Sequence, residues 1–175
     1  MIFLGLGSNL SSKFGDRFTN INLAISFLEG YGIKVIKKSS FYETPSYPNE
    51  KNPKFINIVI MVETTLPPID LMSVLIFIEE KIGRKRDKKN DPRTCDIDII
   101  DYNSQILNLK YNNFDLTVPH KELTKRNFIL FPLQEISPKW KHPKTKEIIR
   151  DLLQKLSEGD KNSILKIDKN DIMIK

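Results

Sequence analysis

The chain has 175 residues, of which 29% are charged and 39% apolar, a balance that suits a soluble globular protein with one sizeable core. Its longest apolar runs, such as Ile58-Val59-Ile60-Met61-Val62, fall far short of the ~20 residues of a membrane span, and its single cysteine excludes an internal disulfide and suits a reducing cytosol. A net charge of +6 and a pI near 9.3 admit an anionic partner, but only residues 84–93 are densely basic, with six Lys or Arg against Asp87 and Asp91.

In chain order, Ile2 to Leu6 reads as a short strand that runs into Gly7-Ser8-Asn9-Leu10, a turn signal. The N-terminus lacks the basic region of a signal peptide. Phe18, Ile21, Leu23, Ala24, Phe27 and Leu28 recur at helical spacing, and Gly30 and Gly32 bracket the helix end. Residues 34–42 read as a second strand. Residues 43–54 form a loop whose three prolines forbid a continuous strand and whose length suggests function. Phe55 to Glu63 is the next strand. Pro67 and Pro68 suit the start of a helix carrying Leu71, Val74, Leu75 and Ile78, with Gly83 as its C-cap. Glu79 and Glu80, near that helix end, either are solvated beside Lys81 or contact the arginine-rich loop or a ligand. Residues 105–109 read as a strand and 127–136 as a helix with Pro132 early in it or at a kink. Thr145 reads as the cap of a last helix over 146–156. The domain is expected over 1–158, with 159–175 a tail that either adds an edge strand or frays. The order strand-helix-strand-strand-helix-strand predicts an α+β fold, a ferredoxin-like βαββαβ plait. Its antiparallel sheet carries both helices on one face and C-terminal helical additions, and leaves the other face for a ligand.

The chemistry concentrates in residues 84–100. Asp96, Ile97, Asp98 and Ile99 alternate polar and apolar, so both aspartates share one face of a strand while Cys95, Ile97 and Ile99 point into a core. Two Cα atoms roughly 7 Å apart along a strand place two charges that repel by about 2 kcal/mol at an effective dielectric near 20. A wet face relieves that repulsion, as does a cation. Mg²⁺ is the natural ion, held by one or two carboxylates and completed by substrate phosphates. Arg84, Arg86 and Arg93 suit phosphate oxygens through the guanidinium fork. Together these features point to phosphoryl-type transfer from a nucleotide. The plain alternative is a solvated basic loop beside two water-facing aspartates.

Several stretches in order carry a resemblance: Gly7-Ser8-Asn9-Leu10, Ser40-Phe41-Tyr42-Glu43-Thr44-Pro45, Phe55-Ile56-Asn57, Gly83-Arg84-Lys85-Arg86, Pro92-Arg93-Thr94-Cys95-Asp96-Ile97-Asp98-Ile99, Val118-Pro119-His120, and Arg126-Asn127-Phe128 with Pro132-Leu133. The chain resembles the 6-hydroxymethyl-7,8-dihydropterin pyrophosphokinases of folate biosynthesis over roughly residues 2–153. That resemblance implies transfer of pyrophosphate from ATP to the pterin, with release of AMP. It implies that Asp96 and Asp98 hold two Mg²⁺ ions, and that Arg84 and Arg93 act with them in catalysis. It implies that Phe55 and Phe128 sandwich the pterin, with Asn57, Thr44 and Pro45 at its edge. It further implies an ATP site built from Glu79, Arg84, Arg86, Arg93, Ile99, Thr117, His120 and Arg126, with Arg86 holding a moving loop. ATP and the pterin are the implied partners, with no nucleic acid, no membrane, a monomeric state and a cytoplasmic location. The chain departs from the family pattern at Asp91, where Gly or Ala is usual, at Asn90, where some members carry an aromatic, and at Phe55, where Tyr is common. Lys121 and Asp115 also depart from it, flanking the Thr-Val-Pro-His segment. Two rivals stand beside this reading. One is a basic nucleic-acid-binding module of the same plait, although residues 55–59 lack the RNA-binding aromatic signature. The other is a metal-dependent nucleotidyltransferase. A P-loop is absent from the sequence.

Overall fold

The computed structural model describes residues 1–85, 91–111 and 114–167. The chain runs β1 (Ile2–Ser8), α1 (Arg17–Gly30), β2 (Lys34–Lys38), β3 (Phe41–Thr44), β4 (Phe55–Glu63), α2 (Pro68–Lys81) and β5 (Asp96–Tyr102). A hairpin of β6 (Leu107–Tyr111) and β7 (Phe114–Val118) follows, then α3 (Asn127–Ile136), α4 (Ile149–Gln154), α5 (Glu158–Asn162) and β8 (Leu165–Ile167). The main sheet has the order β5-β1-β4-β3-β8, with β2 also on β4, and all its pairings are antiparallel. With β2 and β3 counted as one broken strand, the order within the βαββαβ unit is that of the ferredoxin-like plait.

The break in the second strand falls at Ser39-Ser40, and its cause is local. Ser39 Oγ accepts the Val59 N–H at 3.0 Å, so a side chain substitutes for the strand's backbone at that point. The strand resumes as β3 and carries Thr44, so the loop begins at Pro45 instead of Glu43. The hairpin's first strand lies at 107–111, two residues later than expected, because Asn103 and Ser104 take positive φ and hold the turn through Gln105. The helix expected over 146–156 shrinks to α4. Lys146 has φ +63°, which no right-handed helix accommodates, and Thr145 gives its N–H to His142 Nδ1 instead of capping.

Alternation along β4 sorts the two cores. Ile56, Ile58, Ile60 and Val62 face α1 and α2, whereas Val59 faces α3 and α4 with Phe3 and Ile100. The second face is therefore only partly free, since α3 and α4 cover its lower half. Burial on both faces explains why β4 reads as a nearly unbroken apolar run. On that face, Asn57, Gly7 and Asp96 lie side by side in neighbouring strands.

Candidate active site

Asp96 and Asp98 stand on β5, the edge strand of the sheet, opposite Gly7 and Gly5 of β1. Neighbouring side chains fill the space over both glycines: a Cβ on Gly5 would lie 3.2 Å from Ile100 Cδ1. A Cβ on Gly7 would lie 3.0 Å from Asn57 Oδ1 and 3.5 Å from Phe55 Cδ1. Asn57 continues the row on β4 and pairs with Tyr42 on β3, and Phe55 pairs with Thr44 one step further on. Asn57 is buried in mid-strand and donates from Nδ2 to Thr44 Oγ1 at 3.0 Å. Phe55 and Pro45 are half-buried at this end of the sheet. Phe128 sits in the first turn of α3, also half-buried.

Charge is arranged in two linked groups. Arg84 leaves α2 through a Schellman turn at Gly83, whose φ of +101° suits glycine alone. The turn returns the guanidinium to Glu79, 2.5 Å away, and to Asp96. Glu79 is 2% exposed and also accepts the Ile97 N–H at 2.7 Å, so of the two sequence alternatives it makes the arginine contact, while Glu80 is exposed. Arg93 Nε lies 3.3 Å from Asp96 Oδ2. In the second group Arg126 lies 3.3 Å from Asp98 Oδ2, and His120 Nε2 lies 3.9 Å from it. Arg93 also stacks over the Phe55 ring, and Arg126 over that of Phe128, at 5.3 and 5.5 Å.

These neighbours perturb ionisation. Asp98 keeps 36% of its side chain open, yet it is hemmed in by enough protein to lose solvation. That loss, and next the charge of Asp96, raise its carboxyl above the usual range against the pull of His120 and Arg126. Burial lowers the His120 imidazole, with Asp98 opposing. Burial would weaken the charge of Arg84, but Asp96 and Glu79 outweigh it and raise the guanidinium. Burial pushes the Cys95 thiol up, so it is inert.

On the other side of β5 a pocket of about 200 Å³ opens between α2, β5 and β7. Ile99 and Thr117 line it, while Glu79, Arg84, Asp96, Asp98 and His120 border the same space. Of the expected nucleotide residues, Glu79, Arg84, Ile99, Thr117 and His120 border this pocket, while Arg93 and Arg126 are not among its lining and meet Asp96 and Asp98 instead; Arg86 lies outside the described residues together with Asn90. Sequence reasoning passed over Asn9 as a mere turn residue. It is 2% exposed, accepts the Arg93 N–H at 2.6 Å, and donates to Ser46 Oγ and the Pro53 carbonyl. It thereby stitches loop 45–54 to residues 91–95.

The family model of 7,8-dihydro-6-hydroxymethylpterin-pyrophosphokinase (HPPK) matches residues 3–138. The chain belongs to this family. HPPK relatives agree: the Aquifex aeolicus 2-amino-4-hydroxy-6-hydroxymethyldihydropteridine pyrophosphokinase is 38% identical over 142 residues, covering 81% of this chain and 83% of that protein. The Bacillus subtilis pyrophosphokinase is 35% identical over 77% of this chain and 76% of its own length. The Schizosaccharomyces pombe folic acid synthesis protein fol1 is 36% identical over 90% of this chain, which spans only 21% of that longer protein. Among solved structures, Plasmodium falciparum HPPK-DHPS with pterin and p-hydroxybenzoate superposes with a TM-score of 0.75 over 95% of this chain and 47% of that one. At 18% identity that likeness shows the HPPK fold.

Proposed function

We propose that the chain transfers the terminal pyrophosphoryl group of ATP to the hydroxymethyl oxygen of 6-hydroxymethyl-7,8-dihydropterin. The observation that carries this reading is the convergence of Asp96, Asp98, Arg84, Arg93 and Arg126 at the sheet end that also carries Phe55, Asn57 and Thr44, which on this reading line the recess for the pterin. A planar bicycle needs π-faces and a few polar edge groups. Phe55 and Phe128 supply the faces, with Asn57, Thr44 and Pro45 at the edge. The pocket lined by Ile99 and Thr117 takes the nucleotide base.

The hydroxymethyl oxygen attacks the β-phosphorus. The bond from that phosphorus to the α-phosphate oxygen breaks, AMP leaves with the electron pair, and the hydroxyl proton passes to solvent. Such a step needs alignment and charge neutralisation more than covalent help. On this reading Arg84 and Arg93 hold the transferred phosphates, and His120 and Arg126 the AMP side. The donor set suits magnesium. Asp96 and Asp98 offer hard carboxylate oxygens, and the described residues contain no cluster of three or more candidate ligands, so phosphates and water must complete the shell. Two such ions, held by Asp96 and Asp98, would neutralise triphosphate charge and polarise its phosphorus. No described helix is long and apolar enough to cross a membrane, and the reading takes the protein as a cytoplasmic monomer acting on small molecules.

Protein mixed with ATP, Mg²⁺ and the pterin is expected to yield AMP and pterin diphosphate in equal amounts. Inorganic pyrophosphate in place of AMP would indicate nucleotidyl transfer, and salt-sensitive RNA binding without turnover would indicate the nucleic-acid module. Within the recess, Gly7→Ala is expected to weaken pterin binding about tenfold, because its methyl displaces the Asn57 amide by a few tenths of an ångström. Titration calorimetry with the pterin checks this, and unchanged affinity would remove Gly7 from the recess floor.

A further inference from the structure

The chain after α4 lies beyond the family match, which ends at residue 138, yet it grips both walls of the recess. Ser157 caps α5 by accepting the Asp160 N–H at 3.0 Å. The end of α5 then meets the start of α3. Asn127 Nδ2 donates to the Asp160 carbonyl at 2.6 Å and to Ser163 Oγ at 3.0 Å. The Oδ1 of the same amide accepts the Phe128 N–H at 2.7 Å. Asn127 is 7% exposed, so these bonds compete little with water.

The segment next crosses to the opposite wall. β8 pairs with β3, placing Tyr42 opposite Lys166 and Glu43 opposite Leu165. Lys166 Nζ lies 3.4 Å from Glu135 on α3. That carboxylate also accepts from Tyr42 OH and Ser40 Oγ, each at 2.8 Å. One stretch of eleven residues, 157–167, therefore ties the turn that carries Phe128 to the strand that carries Thr44 and holds register with Asn57.

We propose that residues 157–167 form a clamp that sets the gap between the Phe128 wall and the β3–β4 wall, with Asn127 as the positioning residue through which it acts. The clamp governs affinity for the flat bicyclic substrate more strongly than affinity for the nucleotide, which it reaches only through Arg126 at the same turn. This rests on the pterin reading above. A side-chain amide suits the task because it has an acceptor for Phe128 and a donor for the tail at once. Small displacements of a stacking wall are felt directly in binding.

Asn127→Asp separates the two halves of that amide. It keeps the acceptor for Phe128 but sets a carboxylate against the Asp160 carbonyl. Ser163→Ala trims one tail contact and serves where the first variant folds poorly. Calorimetry in the full chain is expected to show the pterin dissociation constant rising about tenfold for Asn127→Asp and roughly threefold for Ser163→Ala, as for the loss of one or two hydrogen bonds. The KM for ATP, and kcat at saturating pterin, stay within about twofold. Wild-type pterin affinity in both variants overturns the clamp, even if their melting temperatures fall, because the segment would then serve only as cover for the β3 edge. Equal losses on the ATP and pterin sides also overturn it. If the wild-type protein neither binds the pterin nor forms AMP, the functional reading fails and the clamp's role in substrate affinity fails with it.

Discussion

Asp98→Ala is expected to lower pterin-dependent AMP release at least about 10³-fold, the scale of removing a main electrostatic stabiliser from a phosphoryl-transfer site. The same change should leave the fold intact. Asp98 sits on an edge strand with 36% of its side chain open, and among the described residues its ion-pair partners are Arg126 and His120. Its carboxyl is raised by poor solvation and by Asp96. A carboxyl raised in the folded state contributes stability below its unfolded pKa and loses it as pH rises through the folded one. The ionised form therefore opposes folding, and its removal leaves the unfolding midpoint unchanged or slightly higher. The two readings are AMP quantification across a Mg²⁺ titration and thermal denaturation at pH 7. Near-normal turnover in Asp98→Ala would sink the metal assignment. Asp96→Ala is expected to be as inactive, and it additionally takes a carboxylate from both Arg84 and Arg93.

Glu79→Ala is expected to lower the unfolding midpoint by roughly 6–12 °C, for a cost of about 3 kcal/mol in a chain of this size. Two losses combine. The Ile97 N–H at the start of β5 loses its carboxylate acceptor inside the protein, and Arg84, at 11% exposure, is left with Asp96 as its remaining carboxylate. Activity should fall as well, since Arg84 would no longer be held from both sides. Glu79→Gln retains an oxygen for Ile97 and should lose about half as much stability. A midpoint within two degrees of wild type, by the size scaling of unfolding, would show that β5 and Arg84 do not depend on this carboxylate.

Sequence periodicity found the parts of the fold whose signal is local. β4 begins and ends where its apolar run does, and the Asp-Ile-Asp alternation placed both carboxylates on one face with Cys95, Ile97 and Ile99 in the core. Glu79 was legible in principle. It lies on the buried stripe of α2 marked by Leu71, Leu75 and Ile78, and a carboxylate on such a stripe implies a buried partner. Positions decided by tertiary contact were not legible. The serine pair that breaks the second strand acts through Val59, twenty residues away. Lys146 carries no turn signal, and its positive φ becomes visible only where Lys141 bridges Ile148 and shortens the helix. Asn9 and Asn127 satisfy their amides across distant segments, and asparagine is equally at home in any solvated turn. The stretch over α3 and α4 read as added helices, but nothing in its own pattern says that it lies on the face reserved for the ligand.

On the proposed function, the ion pairs around the two aspartates would also govern how the site fills. Arg84 and Arg93 hold Asp96, and Arg126 holds Asp98. A polyphosphate arriving by itself would draw the guanidinium groups away and strand two carboxylates 7 Å or so apart on a strand. A cation arriving by itself would strand the arginines instead. Only both together can exchange every partner and leave each charge matched, so loading is a double displacement. Protein, nucleotide and metal should then show little affinity in any two-way mixture and strong affinity when all three are present. On the proposed function, the pairing would work as a coincidence detector for the complexed nucleotide.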